Sequence, residues 1–200
     1  IGLISDQNAL TPLVPALEQV GWTVSTWSNN LAVVEGVPTG RHSTDEETVL
    51  TQDLVVLDLG GTAGTGRLLS AAEDAVLQTY LNKGGKLIVV GANVLTRPDD
   101  RRMGALVGAD SLERAAEPGD MAVLANALPI DTNWVSILPG DRVAVTSRAY
   151  DRATPDPEAA SESFFEVDGA IKLMRRTNDV GGVAILWNGN ENAEEWRNPG

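Results

Sequence analysis

Four short apolar runs constrain this chain more than any other feature: IGLIS at 1–5, WTVSTWS at 22–28, LVVLDL at 54–59 and KLIVVG at 86–91. Each reads as a strand, and the segments between them carry helical punctuation. Thr11 can cap a helix with Pro12 at its first position, Leu13, Val14, Leu17 and Val20 on one face, and Gly21 at its end. Leu68, Leu69, Ala72, Ala75, Val76, Thr79 and Tyr80 recur at helical spacing, and NKGG at 82–85 supplies a C-cap. WTVSTWS alternates as a half-buried strand does, whereas LVVLDL is almost wholly apolar, which suits a strand covered on both faces. The succession predicts an α/β domain: a doubly wound, mainly parallel sheet with helices on both faces. Ligands of such sheets sit at the carboxyl ends of the strands, here residues 58–66 and 91–96.

The second half is less regular and adds strands to that sheet. A short helix is expected at 103–107, and strands or short helices at 122–128, 142–147, 170–176 and 182–187. The polar stretch AYDRATPDPEAASES at 149–163 contains two prolines and reads as a surface excursion. Asn188-Gly189 after an apolar run is a hairpin-turn signal. Two hundred residues without an internal repeat fit one domain, 1–200. The start at Ile1, inside a strand, leads us to expect a fragment of a longer protein.

Composition excludes several functional classes. A net charge of -13 argues against nucleic acid, whose phosphates most of this surface would repel. The basic pairs Arg101-Arg102 and Arg175-Arg176 have no interleaved aromatics and read as solvated faces. There is no cysteine, hence no disulfide and no thiolate metal site. No stretch approaches the roughly 20 apolar residues of a membrane span, so no direct membrane insertion is expected.

DLGGTAGTGRL at 58–68 is the richest local signal. Gly60, Gly64 and Gly66 match a dinucleotide-binding spacing, with a strand before and a helix after. That fingerprint belongs on the first strand of its fold, however, and here two strands precede it. Tyr80 is followed by lysines three and six residues on, not the four of a catalytic Tyr-x-x-x-Lys, and no acidic residue ends KLIVVG to receive a ribose hydroxyl.

The strand, the GGTAG loop at 60–64, the helix bearing Glu73, Leu77, Tyr80 and Leu81, and then NKGGKLIVVG at 82–91 together resemble the class I glutamine amidotransferase-like superfamily, a flavodoxin-like α/β group. The chain is most similar to a non-catalytic branch found as accessory domains of large surface or secreted prokaryotic proteins. The likeness runs from Ile1 to about Gly108. It implies that Gly60 and Gly61 stand where the amidotransferases donate backbone N–H groups to an oxyanion, and that Gly91, Ala92 and Asn93 form the elbow of the nucleophilic cysteine. Cysteine is absent, and the one histidine, His42, lies between the second and third strands rather than near the chain end. No catalytic residue is therefore assigned, and the loop and elbow are expected to be a vestigial ligand-binding edge. Ser5, Ser70 and Thr96 are hydroxyls without a placed base.

Carboxylates are the other resource. Asp6 and Asp58 fall at the carboxyl ends of strands expected to be adjacent, and with Asp99 and Asp100 they could hold a hard cation such as Mg²⁺ or Ca²⁺. Asp151, Asp156 and Glu158 are a second choice. Five tryptophans against two tyrosines and two phenylalanines favour core packing for most, with Trp22 and Trp27 on opposite faces of one strand and Trp196 exposed. Two functional expectations result. The first is a non-catalytic module, structural, assembling or ligand-binding, without a cofactor, in a larger extracellular or cell-surface protein, whose partners are neighbouring domains or identical subunits. The second is a hydrolase or transferase working through Asp6 and Asp58 with a divalent metal, and a cytoplasmic acidic protein would share this composition.

Overall fold

The computed structural model describes residues 1–5, 13–28, 33–34, 37–38, 49–58, 69, 71–91, 94–95, 101–114, 119–125, 130–131, 136–140, 142–147 and 151–189. In chain order its strands are β1 Gly2–Ser5, β2 Ser25–Ser28, β3 Val33–Val34, β4 Val37–Pro38, β5 Val55–Asp58, β6 Lys86–Gly91, β7 Ala109–Arg114, β8 Gly119–Val123, β9 Ile130–Asp131, β10 Ser136–Ile137, β11 Arg142–Ser147, β12 Asp151–Pro155, β13 Ser161–Val167, β14 Ala170–Thr177 and β15 Val183–Asn188. The helices are α1 Leu13–Gln19, α2 Ala71–Asn82 and α3 Arg102–Val107, with a 3₁₀ turn at Pro157–Ala159.

Nine strands form one sheet in the order β11-β8-β13-β14-β15-β6-β5-β1-β2. The α/β character follows the sequence reading, but the sheet is mixed rather than mainly parallel. Among the described residues, β2-β1-β5-β6-β15 pair in parallel and β15-β14-β13-β8-β11 pair antiparallel. Numbered by their own succession, the five parallel strands run 2-1-3-4-5. β15 belongs to both halves, parallel to β6 on one side and antiparallel to β14 on the other. Within the antiparallel half, β13 and β14 are joined by the tight turn Asp168-Gly169, where both residues have positive φ, and β14 and β15 by residues 178–182.

Alternate residues of β5 and β6 feed two cores. Val55, Leu57, Leu87 and Val89 pack with Leu77, Tyr80 and Leu81 of α2 and with Met103, Leu106 and Val107 of α3. Val56 and Ile88, on the opposite face, pack with Ile1 and with Val14 and Leu17 of α1. Helices therefore cover both faces of the parallel half. Two expected faces are corrected. Val20 lies past the end of α1 and is 72% exposed. On α2 the buried positions are Glu73, Leu77, Tyr80 and Leu81, whereas Ala72 and Ala75 are exposed, because the larger leucines bring more apolar area into the core than the alanines. Trp22 precedes β2 and is 44% exposed, so it does not share that strand with Trp27.

The strand at 122–128 ends at Val123, since Gly119–Val123 is the paired segment. Within the expected excursion at 149–163, β12 pairs with β7 and Asp151 and Ala153 are buried, whereas Thr154, Asp156, Pro157, Glu158, Ala160 and Glu162 are exposed. The start of β12 has a two-residue burial period, with Asp151 and Ala153 inward and Arg152 between them half-buried, which composition conceals. The two arginine pairs lie at the surface, as expected, and each arginine also has a partner there. Arg175 pairs with Glu162, Arg101 with Asp110 at 3.4 Å, Arg102 Nη1 donates to the Leu69 carbonyl at 3.4 Å, and Arg176 Nη1 donates to the Ala105 and Leu106 carbonyls at the end of α3. Among the described residues, no helix is long and apolar enough to cross a membrane.

The α2–β6 turn shows why NKGG stands there. Gly84 has φ +85°, and a Cβ on Gly85 would lie 2.5 Å from the Tyr80 ring. That ring is buried, and its hydroxyl shares one proton between the carbonyls of Gln52 at 3.1 Å and Lys86 at 3.2 Å. Burial, aided by the Asp53 carboxylate and opposed by the Lys86 main-chain hydrogen bond, raises the phenol above its ordinary pKa of 10.0. The folded state thus holds the proton more tightly than the unfolded state, so this contribution is intact below pH 10.0 and is lost as pH rises beyond it. Tyr80→Phe is expected to cost about 1 kcal/mol at neutral pH. The difference between variant and wild type should shrink in urea titrations carried into the alkaline range.

Candidate functional site

The ends of the parallel strands lie in one row. Ser5 pairs with Ser28 on one side and with Asp58 on the other, Asp58 pairs with Val90, and Gly91 pairs with Asn188. The expected neighbourhood of β1 and β5 is therefore present, with Asp58 at the carboxyl end of β5 beside the last residue of β1. Asp6, Gly60, Gly61, Ala92 and Asn93 lie outside the described residues, as do His42, Ser70, Thr96, Asp99, Asp100 and Trp196. Gly91 is described: its carbonyl accepts a hydrogen bond from the Gly189 N–H at 3.0 Å, closing β6 onto the end of β15.

Three polar side chains that the sequence reading did not bring together converge on this edge. Asp151, Lys172 and Asn188 are each completely buried. Asn188 is the last residue of β15 and stands in the strand-end row, while Ile171 and Lys172 lie on the neighbouring β14. The Asn188 amide donates from Nδ2 to the carbonyls of Asp151 at 2.6 Å and Ile171 at 2.9 Å. Its Oδ1 accepts from the Asp151 N–H at 3.0 Å. One side chain therefore pairs with both main-chain groups of Asp151, as a neighbouring strand would, and joins the starts of β12 and β14 to the end of β15. Asp151 extends the tie, since its Oδ2 accepts from the Leu95 N–H at 3.3 Å. Leu95 belongs to the segment after β6, so the clamp reaches the chain just beyond the position that the resemblance makes an elbow.

Lys172 completes the edge. Its ammonium lies 5.0 Å from the centroid of the Trp187 ring, a cation–π distance. A Cβ on Gly189 would come within 2.2 Å of Nζ, so a larger residue there would displace the ammonium from its present position. Signals for these residues were present: Lys172 interrupts the apolar run AIKLM, and Asn188 closes GVAILWN. Neither reveals its partner: Asn188 bonds to main-chain groups of segments distant in sequence, and Lys172 meets Trp187 only because β14 pairs with β15. Asp156, the second-choice ligand beside Asp151, instead caps the 3₁₀ turn by accepting from the Glu158 N–H at 2.9 Å. Among the described residues, no group of three or more His, Asp or Glu side chains gathers as a metal site would. A groove of about 400 Å³, bordered by Arg101, Ala109, Asp110 and Pro155, lies at the far end of the β7–β12 ribbon from Asp151.

Chemically, this edge is a clamp. The Asn188 donors and its acceptor are engaged with the main chain, and the Asp151 carboxylate receives an amide. No family model matches the chain, and no curated protein matches it in sequence. Solved structures do resemble it. The cytoplasmic protein STM1381 from Salmonella typhimurium LT2 superposes with a TM-score of 0.65 at 14% identity, over 94% of this chain and 87% of that one. The mmIFT52 N-terminal domain does so with a TM-score of 0.60 at 11% identity, over 94% and 85%. Agd3, titled a carbohydrate deacetylase, matches with a TM-score of 0.54 at 12% identity, over 94% of this chain but 28% of its own. At these identities the likeness is one of fold alone.

Removing the clamp should be costly, because three buried main-chain groups would lose their partner together. Asn188→Ala is expected to destabilise the fold by about 3 kcal/mol, read by chemical denaturation. Asn188→Asp replaces two donors with acceptors facing carbonyls and should be no milder.

Proposed function

We propose that this chain is a non-catalytic domain of the class I glutamine amidotransferase-like kind, doubly wound in its parallel half, that serves as a structural, assembly or ligand-binding module of a larger extracytoplasmic protein. The observation that carries the reading is the Asn188 clamp at the carboxyl edge. The polar atoms nearest the elbow position join strands to one another, and with no cysteine and His42 as the only histidine the chain lacks an amidotransferase nucleophile and its base. The 2-1-3-4-5 succession of parallel strands supports the flavodoxin-like placement. Agd3, in which a similar fold occupies a minor part of a longer chain, supports use as one module among several. An acidic, cysteine-free composition suits export. Neighbouring domains or identical subunits are the partners this reading implies, with Gly60, Gly61, Gly91, Ala92 and Asn93 as the edge open to a ligand.

The second reading, a carboxylate hydrolase or transferase with Mg²⁺ or Ca²⁺ on Asp6 and Asp58, draws support from the adjacency of β1 and β5 and the Ser5–Asp58 register. One set of measurements separates the two. For a non-catalytic module, the purified chain releases no ammonia from glutamine, and neither Mg²⁺ nor Ca²⁺ raises its melting temperature. A rise with either ion that disappears in both Asp6→Asn and Asp58→Asn would replace the first reading with the second.

A further inference from the structure

Asn188-Gly189 is a chemically labile pair that the fold holds still. In an open chain, the Gly189 main-chain nitrogen can attack the Asn188 side-chain carbon. A C–N bond forms, the amide nitrogen leaves as ammonia and a succinimide ring remains, and one water then opens that ring to aspartate or isoaspartate. Glycine makes the attack easy because no Cβ hinders its nitrogen. Three features of the structure oppose each part of this step. The leaving amide group is held by the carbonyls of Asp151 and Ile171, and Oδ1 by the Asp151 N–H. The attacking nitrogen is itself engaged, with its N–H donating to the Gly91 carbonyl at 3.0 Å. Asn188 is also completely buried at the end of a strand paired to β6, which keeps its side chain and the next nitrogen from meeting.

We propose that Asn188 is a fold-gated deamidation site: protected while β12, β14 and β15 are clamped, converted when they open, and unable to re-form the clamp once converted. The product carries a carboxylate where the amide stood. Two carbonyl oxygens, of Asp151 and Ile171, would then face acceptors, and of the three main-chain groups in the clamp the Asp151 N–H alone would keep a suitable partner. Lys172, whose ammonium lies beside Gly189, offsets part of the new charge without restoring either lost donor. An isoaspartate would in addition lengthen the main chain at the point where Gly189 meets Gly91. Unfolding would thus leave a covalent mark at one position, and marked chains would be excluded from the native state.

The test is peptide mapping by mass spectrometry of the whole chain, held in mildly alkaline buffer either folded or in urea for matched times. Asn188 is expected to convert at least about a hundredfold more slowly in the folded protein, because conversion is limited by the small open population. Chains that have converted in urea should be depleted from the refolded fraction separated by anion exchange. Asn188→Asp, made directly, should lower the melting temperature by more than about 5 °C. Equal conversion rates in the folded and urea-unfolded chains would overturn the proposal, as would an Asn188→Asp protein melting with the wild type. If that variant does not fold, the sorting of converted chains after refolding decides the matter, and equal proportions in the folded and unfolded fractions would overturn it.

Discussion

β15 is the strand on which the architecture turns. Among the described residues it alone in the nine-stranded sheet has a parallel neighbour on one side and an antiparallel neighbour on the other, so the parallel half and the antiparallel half share it. Its burial alternates, with Ala184, Leu186 and Asn188 inward. The first two are core residues beside Met174 and Val89. The third occupies the same face at the carboxyl edge, where apolar packing gives way to buried main-chain groups of β12 and β14. An amide suits that position because it offers donors and an acceptor at once and can complete the hydrogen bonding of a strand that does not pair there.

That single substitution of an amide for an apolar residue shapes the functional reading. In an open α/β sheet, the carboxyl edge is where ligands bind because loops diverge there and leave polar ends accessible. Here β12 is drawn across the edge by Asn188, the amide of Leu95 is drawn onto Asp151, and Lys172 is folded under Trp187. Polar residues at a ligand-binding edge and polar residues at a structural seam have the same composition. Hydrogen-bond partners are what distinguish them, and those of the Asn188 amide described above are main-chain groups of β12 and β14.

The parts of the molecule that could be read from sequence share a local cause. β1, β5, β6, α1, α2 and the Gly84-Gly85 cap follow from apolar runs, periodicity and turn chemistry within a few residues of each other. The adjacency of β1 and β5, and hence the placement of Asp58 beside Ser5, follows from the rules of alternating strand and helix. What escaped was non-local. The direction of β14 relative to β15, the pairing of β12 with β7 and the inward side of α2 depend on which distant surface each segment meets. The stretch from 149 to 163 is the clearest case, since its prolines and acids suggest a loop, yet Asp151 and Ala153 face inward because β7 and Asn188 supply the hydrogen bonds.

By itself, the sequence determined that this is an α/β chain with parallel strands, that no thiol chemistry operates in it, and that its glycine-rich segment follows a middle strand rather than the first. These are properties of composition and near-neighbour order. Only the tertiary structure decided that the sheet is half antiparallel, that Asn188 is a buried clamp rather than a turn residue, and that Lys172 lies beneath a tryptophan beside a glycine. The reason is that a main-chain carbonyl carries no residue identity: Asn188 bonds to the backbone of Asp151 and Ile171, 37 and 17 residues away, and no pattern of side chains announces such partners.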